Sequence, residues 1–163
     1  ENKIPFVVVD MKNYDSVKKN IEMFSKITGQ TDKGKKIVEE MDLKIKNIVD
    51  NLPKENKKVA VLHGTAQGLS VQLDNSIAGN VLKILGWENV ASAMTAADDK
   101  TDTAPYSLEN LIEQNPEIIF VTSMGNLDEI KNAMDKRFSE NPAWQTIPAI
   151  KNNQLYYLPQ DLV

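Results

Sequence analysis

Residues 31–52 read TDKGKKIVEEMDLKIKNIVDNL, and their spacing decides how the rest of the chain is read. Ile37, Val38, Met41, Ile45, Ile48, Val49 and Leu52 recur at the interval of a single helix face. Lys35, Lys36, Glu39, Glu40, Lys44, Lys46 and Asp50 fill the other side. The pattern predicts one amphipathic helix, roughly 33 Å long at about 1.5 Å rise per residue. Pro53 stops it, and Lys57-Lys58-Val59-Ala60-Val61-Leu62 follows as a strand. A rigid helix of this length between two strand-forming segments points to a two-lobed protein with a site between the lobes.

Upstream, Ile4-Pro5-Phe6-Val7-Val8-Val9-Asp10 reads as a buried strand. Ser16 is the expected N-cap of a helix with Val17, Ile21, Phe24 and Ile27 on one face, closed by Gly29. Downstream, a loop over residues 63–70 leads to a helix near Ser76 to Leu85, with Gly86 just past its end. Asn89-Val90-Ala91 reads as a short strand, and residues 92–105 as a long loop carrying Asp98, Asp99 and Asp102. Ser107 caps a helix that Asn115-Pro116 ends, and Glu117 to Thr122 forms a second buried strand. Leu127, Ile130, Met134 and Phe138 mark another helix, Pro142-Ala143-Trp144 a helical turn, and Leu155 to Leu158 a last strand. Strands alternating with helices give an α/β fold: a three-layer αβα Rossmann-like lobe with a mainly parallel sheet, preceded by the long inter-lobe helix. Apolar strands so near both termini read as boundaries of a fragment.

Composition narrows the chemistry. Hydrophobic residues make up 41% and charged residues 26%, with a net charge of −4, so no basic stripe is available for nucleic acid. The absence of cysteine excludes disulfides, zinc–thiolate sites and thiol catalysis. His63-Gly64-Thr65-Ala66-Gln67-Gly68 follows a strand where a phosphate loop would sit, yet it matches neither the dinucleotide fingerprint nor the P-loop. His63 is the only histidine, which removes any mechanism needing two. No nucleophile elbow occurs, and the aspartates of the long loop lack calcium-loop spacing.

What remains is geometric. In open α/β sheets ligands sit beyond the carboxyl ends of the strands. That places Thr65 and Gln67, the loop up to Tyr106, Ser123 and Met124, and Gln160 around one rim. Their hydroxyl, amide, thioether and aromatic groups suit a bulky, weakly charged ligand.

The order of segments resembles the substrate-binding proteins of ABC importers for iron–siderophore complexes, haem and cobalamin. The resemblance runs over most of the chain. It is carried by the segments at Pro5 to Asp10, the long helix, Val59 to Leu62, Asn75-Ser76-Ile77-Ala78-Gly79, Leu85-Gly86-Trp87-Glu88-Asn89-Val90, Ser107-Leu108-Glu109, Asn115-Pro116-Glu117-Ile118-Ile119, Pro142-Ala143-Trp144 and Ala149 to Tyr156. It implies that residues 1–30 are a remnant of an N-terminal lobe, 31–53 the bridging helix, and 54–163 a C-terminal lobe incomplete at its end, its final helix lying outside the chain. It also implies a non-enzymatic, extracytoplasmic protein, periplasmic or lipid-anchored and monomeric. Such a protein has no cofactor of its own. It binds a ferric siderophore or haem, with cobalamin also open, and delivers it to a permease. Glu109 matches the glutamate that this family presents to permease arginines. An axial haem ligand from this half would be His63, Tyr106 or Met124.

Two other classes stand beside this reading. An α/β enzyme domain using the same rim would gather titratable groups with perturbed pKa values at the strand tips. A small interaction module would show a large exposed apolar patch and no pocket.

Overall fold

The computed structural model describes residues 5–65, 68–94, 101–105, 107–123 and 126–159. The chain divides into two compact units, residues 1–53 and residues 54–163.

The first unit is a helical hairpin of α1 (Tyr14–Ile27) and α2 (Thr31–Asn51). Asn13, not Ser16, caps α1. Its side chain accepts from the Ser16 backbone N–H while the Ser16 hydroxyl accepts from Asn13 N, a reciprocal capping box. Gly29, at φ 68°, turns the chain. The two helices meet closely where Gly34 lies against the Ser25 side chain, leaving no room for a Cβ at residue 34. Tyr14 Oη donates to Asp42 Oδ1 at 2.8 Å, and Lys18 Nζ reaches the same oxygen at 3.2 Å. These contacts, led by the tyrosine hydrogen bond, hold the Asp42 carboxyl below its ordinary range.

Along α2, Val38, Met41, Ile45 and Val49 are half-buried, whereas Ile37 and Ile48 of the expected seam are exposed. The strand expected before Asp10 does not form among the described residues. Phe6 and Val8 are each 85% exposed there. A strand needs a ladder partner for its N–H and C=O groups, and no described segment pairs with this one.

The second unit is built on one sheet of β1 (Lys58–Thr65), β2 (Gly68–Gln72), β3 (Glu88–Asn89), β4 (Thr103–Pro105), β5 (Ile118–Ser123) and β6 (Leu155–Tyr157). The order is β4-β2-β1-β5-β6, with β3 on the amino-terminal end of β1. β1, β5 and β6 run parallel, as does the β1–β3 pair, while β2 is antiparallel to both β1 and β4. The fold is therefore α/β as expected, but the segment read as a loop over residues 63–70 carries the end of β1 and the start of β2, which pair as a hairpin. Gly64 disguises the end of β1 in the sequence. A Cβ there would stand 3.1 Å from Ile130 Cγ2, a tight contact where a helix crosses the strand.

Helices α3 (Ile77–Leu85), α4 (Leu108–Gln114), α5 (Leu127–Glu140) and α6 (Pro148–Lys151), with a 3₁₀ turn at Pro142–Thr146, cover the sheet. α3 and α4 start where expected. Ser76 accepts from Gly79 N and Ser107 from Asn110 N. Gly86 and Asn115 take the left-handed conformation at their ends.

One sheet face carries the main core: Leu62, Val71, Ile119 and Val121 pack on Leu111 of α4, Met134 of α5, Trp144, Ile147 and Ala149. The other face carries Val59 and Val61, covered by Leu82 and Ala78 of α3 and by Trp87, with Ile118 and Phe120 alongside. Asn89 joins the layers. It is buried, donates to Gln72 O at 3.1 Å and Asp74 Oδ1 at 2.9 Å, and accepts from Ala91 N.

Tyr157 carries the one buried side-chain polar atom without a hydrogen-bond partner among the described residues. Burial, and secondarily the Asp135 charge, push its hydroxyl pKa up to about 12. The folded state therefore holds this proton more tightly than the unfolded chain, whose value is about 10. Below pH 10 the shift has no effect on stability. As pH rises from about 10 towards 12, the unfolded state binds fewer protons, so stability falls. Tyr157→Phe is expected to be neutral or stabilising by up to about 1 kcal/mol at pH 7, because it removes an unpaired hydroxyl. It should also flatten part of the alkaline limb, which urea unfolding at pH 7 and pH 11 would check.

Candidate functional site at the strand tips

β1 ends at Thr65 and β5 at Ser123, and the register sets Gly64 beside Ser123 and His63 beside Thr122. The carboxyl ends of the two central strands therefore lie side by side, as the parallel topology requires. Ser123 is buried. Gln67, Tyr106, Met124 and Gln160 fall outside the described residues, and for Thr65 only the backbone is described. Glu109 is exposed in the first turn of α4, where a carboxylate also suits the helix dipole.

Thr122 and Gln72, which the sequence did not single out, organise the polar groups here. The buried Thr122 hydroxyl donates to Leu62 O at 3.3 Å and accepts from Gln72 Nε2 at 3.3 Å. His63 Nδ1 lies 3.2 Å from the same oxygen. Which of His63 Nδ1 and the Thr122 hydroxyl donates to the other depends on the imidazole tautomer. Gln72 was hidden because β2, which supplies it, was not read as a strand. Thr122 was legible as a strand end but not as the hub of three partners.

These groups form one end of a cavity of about 780 Å³, within the roughly 300–1,000 Å³ range of small-molecule sites. Ser123, Asp102 and Thr103 also line it, and the rest of its wall is apolar, from Val61, Phe120 and Leu158 on the sheet side to α3 and Trp87. A smaller cavity of about 280 Å³ lies on the other face, between Leu62, Leu108 and Trp144, with Arg137 at its edge. Among the described residues no group of histidine, cysteine and carboxylate side chains is arranged to hold a metal ion. The perturbed ion pair of this unit is at the opposite end of the strands. Lys57, just before β1, bonds Glu55 at 2.7 Å and Glu117 at 3.1 Å. The Glu55 hydrogen bond leads in raising the Lys57 pKa, and the Lys57 hydrogen bond leads in lowering that of Glu117.

Comparison with known proteins bears on what such a site is for. The family pattern described as periplasmic binding protein matches residues 1–162. The chain belongs to the periplasmic binding protein family. The high-affinity heme uptake system protein IsdE of Staphylococcus aureus is 34% identical over 107 residues, covering 66% of this chain and 35% of that protein. The structure of S. aureus IsdE complexed with heme superposes with a TM-score of 0.75 at 27% identity, over 95% of this chain and 59% of that one. An ABC transporter substrate-binding protein from Listeria monocytogenes gives a TM-score of 0.79 at 24% identity, over 96% of this chain and 59% of that one. The periplasmic-binding-protein chain thus spans less than two thirds of these relatives, and its α/β architecture is theirs over the shared part.

Proposed function

We propose that this chain is part of the extracytoplasmic substrate-binding component of an ABC importer. Its ligand is a chelated-iron compound, a ferric siderophore or haem, held between two lobes and handed to the permease. The observation that carries the reading is the 34% identity to a haem-uptake protein across two thirds of this chain. Residues 1–30 then belong to an N-terminal lobe, α2 is the bridging helix, and residues 54–163 supply most of a C-terminal lobe. The work is binding and release through lobe movement, with no bond made or broken in the cargo. Family membership supports this over an enzyme domain.

The ligand contacts proposed for this half are Thr65, Gln67, Tyr106, Ser123, Met124 and Gln160. They are supported by the adjacent ends of β1 and β5, which carry Thr65 and Ser123. For a haem cargo, His63 is an available axial ligand beside Tyr106 and Met124. A histidine ligating through one nitrogen generally hydrogen-bonds through the other, and Nδ1 here lies 3.2 Å from the Thr122 hydroxyl. Glu109 is the proposed contact to the permease. The protein acts as a monomer outside the cytoplasm, on the cell surface or in a periplasm.

Tyr106→Ala tests the rim directly. It is expected to weaken binding of the cognate chelate about tenfold, the scale of one lost aromatic contact of roughly 1.4 kcal/mol. Thermal unfolding should be unchanged. Equal chelate affinity in the Tyr106→Ala, Gln67→Ala and Gln160→Ala variants would remove the strand-tip assignment.

A further inference from the structure

His63 borders the larger cavity with one ring nitrogen engaged and the other not. Nδ1 lies 3.2 Å from Thr122 Oγ1, and among the described residues Nε2 has no hydrogen-bond partner. An imidazole turns about a broad, roughly two-fold terminal torsion, so the strand backbone alone does not fix where its nitrogens point. Thr122 is placed to fix them. The parallel register of β1 and β5 sets the two residues side by side, and Thr122 is buried. Its β-branched side chain has few rotamers open to it. The hydroxyl is held further by Leu62 O at 3.3 Å and by Gln72 Nε2 at 3.3 Å. Gln72 is anchored in turn. Its carbonyl oxygen accepts from the buried Asn89 at 3.1 Å, and its backbone pairs with Thr103 of β4. A chain of contacts thus runs from the sheet to a single ring.

We propose that Thr122, backed by Gln72, is a positioning residue that holds the His63 ring in one orientation and one tautomer at the strand-tip end of the cavity. Whichever nitrogen bears the proton, Nε2 then offers one kind of group to a ligand. With the proton on Nδ1 it offers a lone pair to a metal centre; with the proton on Nε2 it offers a donor to a chelate oxygen. A ring held in one tautomer selects between those partners, whereas a ring sampling both does not. The hold on the ring rests on geometry alone. Its effect on binding rests on the proposed iron-chelate cargo.

His63 is the only histidine of the chain, so isotopic labelling of histidine nitrogen gives signals from one ring. At about pH 9, where an ordinary imidazole is neutral, nitrogen NMR distinguishes the two tautomers. The expected result is a single tautomer in the parent chain, both tautomers in Thr122→Val, and a single one again in Thr122→Ser, which keeps the hydroxyl. A mixture in the parent would overturn the proposal, and that reading needs no variant to fold. The parent's tautomer persisting unmixed in a folded Thr122→Val would overturn it too. For a haem cargo, haemin is titrated into the polypeptide at the length of its relatives. Thr122→Val should bind it about tenfold more weakly than the parent, the scale of losing the outer partner of a ligating histidine, and Thr122→Ser should bind like the parent. Equal affinity in the parent and Thr122→Val would overturn the effect on binding. A parent that binds no haemin would count against haem as the cargo, and the ring spectra would still decide the role of Thr122.

Discussion

Gly79→Ala is expected to destabilise residues 54–163 by about 3 kcal/mol, a fall of roughly 10–20 °C in melting temperature. The residue lies in the first turn of α3, where a Cβ would fall on the Leu73 carbonyl oxygen and within 2.6 Å of Asp74 Cα. Both obstructions are backbone atoms of the preceding turn, which cannot swing aside as a side-chain end could. That turn is also tied down. Ser76 Oγ donates to Leu73 O at 2.7 Å and accepts from Gly79 N at 2.9 Å, and Asn89 holds Asp74 from the other side. Relief of the clash would pull α3 off Val59 and Val61. Gly86→Asn offers the contrast, because residue 86 needs a left-handed backbone but has open space around it. Thermal melts of the two variants should differ by more than 10 °C on this account. Gly79→Ala melting with the parent would mean that α3 does not start against Leu73.

Trp144→Ala is expected to cost about 4 kcal/mol. Trp144 is buried in the 3₁₀ turn and meets Phe138 edge-on with ring centroids 5.0 Å apart. It closes the main core beneath α4 and α5, beside Leu62 and Leu111. The turn cannot collapse inwards to fill the void, since Asn141 caps it through Ala143 N and Ala149 N is bonded to Pro116 O. Trp144→Phe keeps most of the ring volume and should cost about 1.5 kcal/mol, within the range of volume-conserving core changes. Urea unfolding followed by circular dichroism would separate the two. A cost below about 1 kcal/mol for Trp144→Ala would contradict the placement of this turn in the core.

Elements whose signals are local were readable from the sequence. Ser76 with Gly86, and Ser107 with Asn115, bracket α3 and α4 because a hydroxyl cap and a left-handed terminal residue are chemical requirements of a helix end. The continuous apolar run from Ile118 to Val121, bounded by Asn115-Pro116, reads as a strand of a parallel sheet, and it forms β5. Misread elements depended on partners distant in sequence. The hairpin of β1 and β2 has no Asn-Gly or Asp-Gly turn, and Gly64 looks like loop although it lies within β1 against Ile130 of α5. The segment at Phe6 to Val9 has strand composition, yet strand formation requires a ladder that no described part of this chain provides.

The site was legible to a similar extent. Topology points to the strand tips as the place for ligand contacts, and the ends of β1 and β5 lie side by side. Which side chains cooperate there was not visible. The His63–Thr122–Gln72 network needs the parallel register that pairs His63 with Thr122, and the antiparallel register that brings β2 alongside. Neither is encoded by any short motif.

The central claim is that an iron chelate is the cargo, and intrinsic tryptophan fluorescence tests it most directly. The polypeptide at the length of its relatives is titrated with haem, cobalamin and a set of ferric siderophores. Trp87, lining the larger cavity, and Trp144 are its reporters in this half. The account predicts saturable quenching at sub-micromolar concentration by haem or by one ferric siderophore. Unchanged fluorescence with every one of these compounds would contradict it.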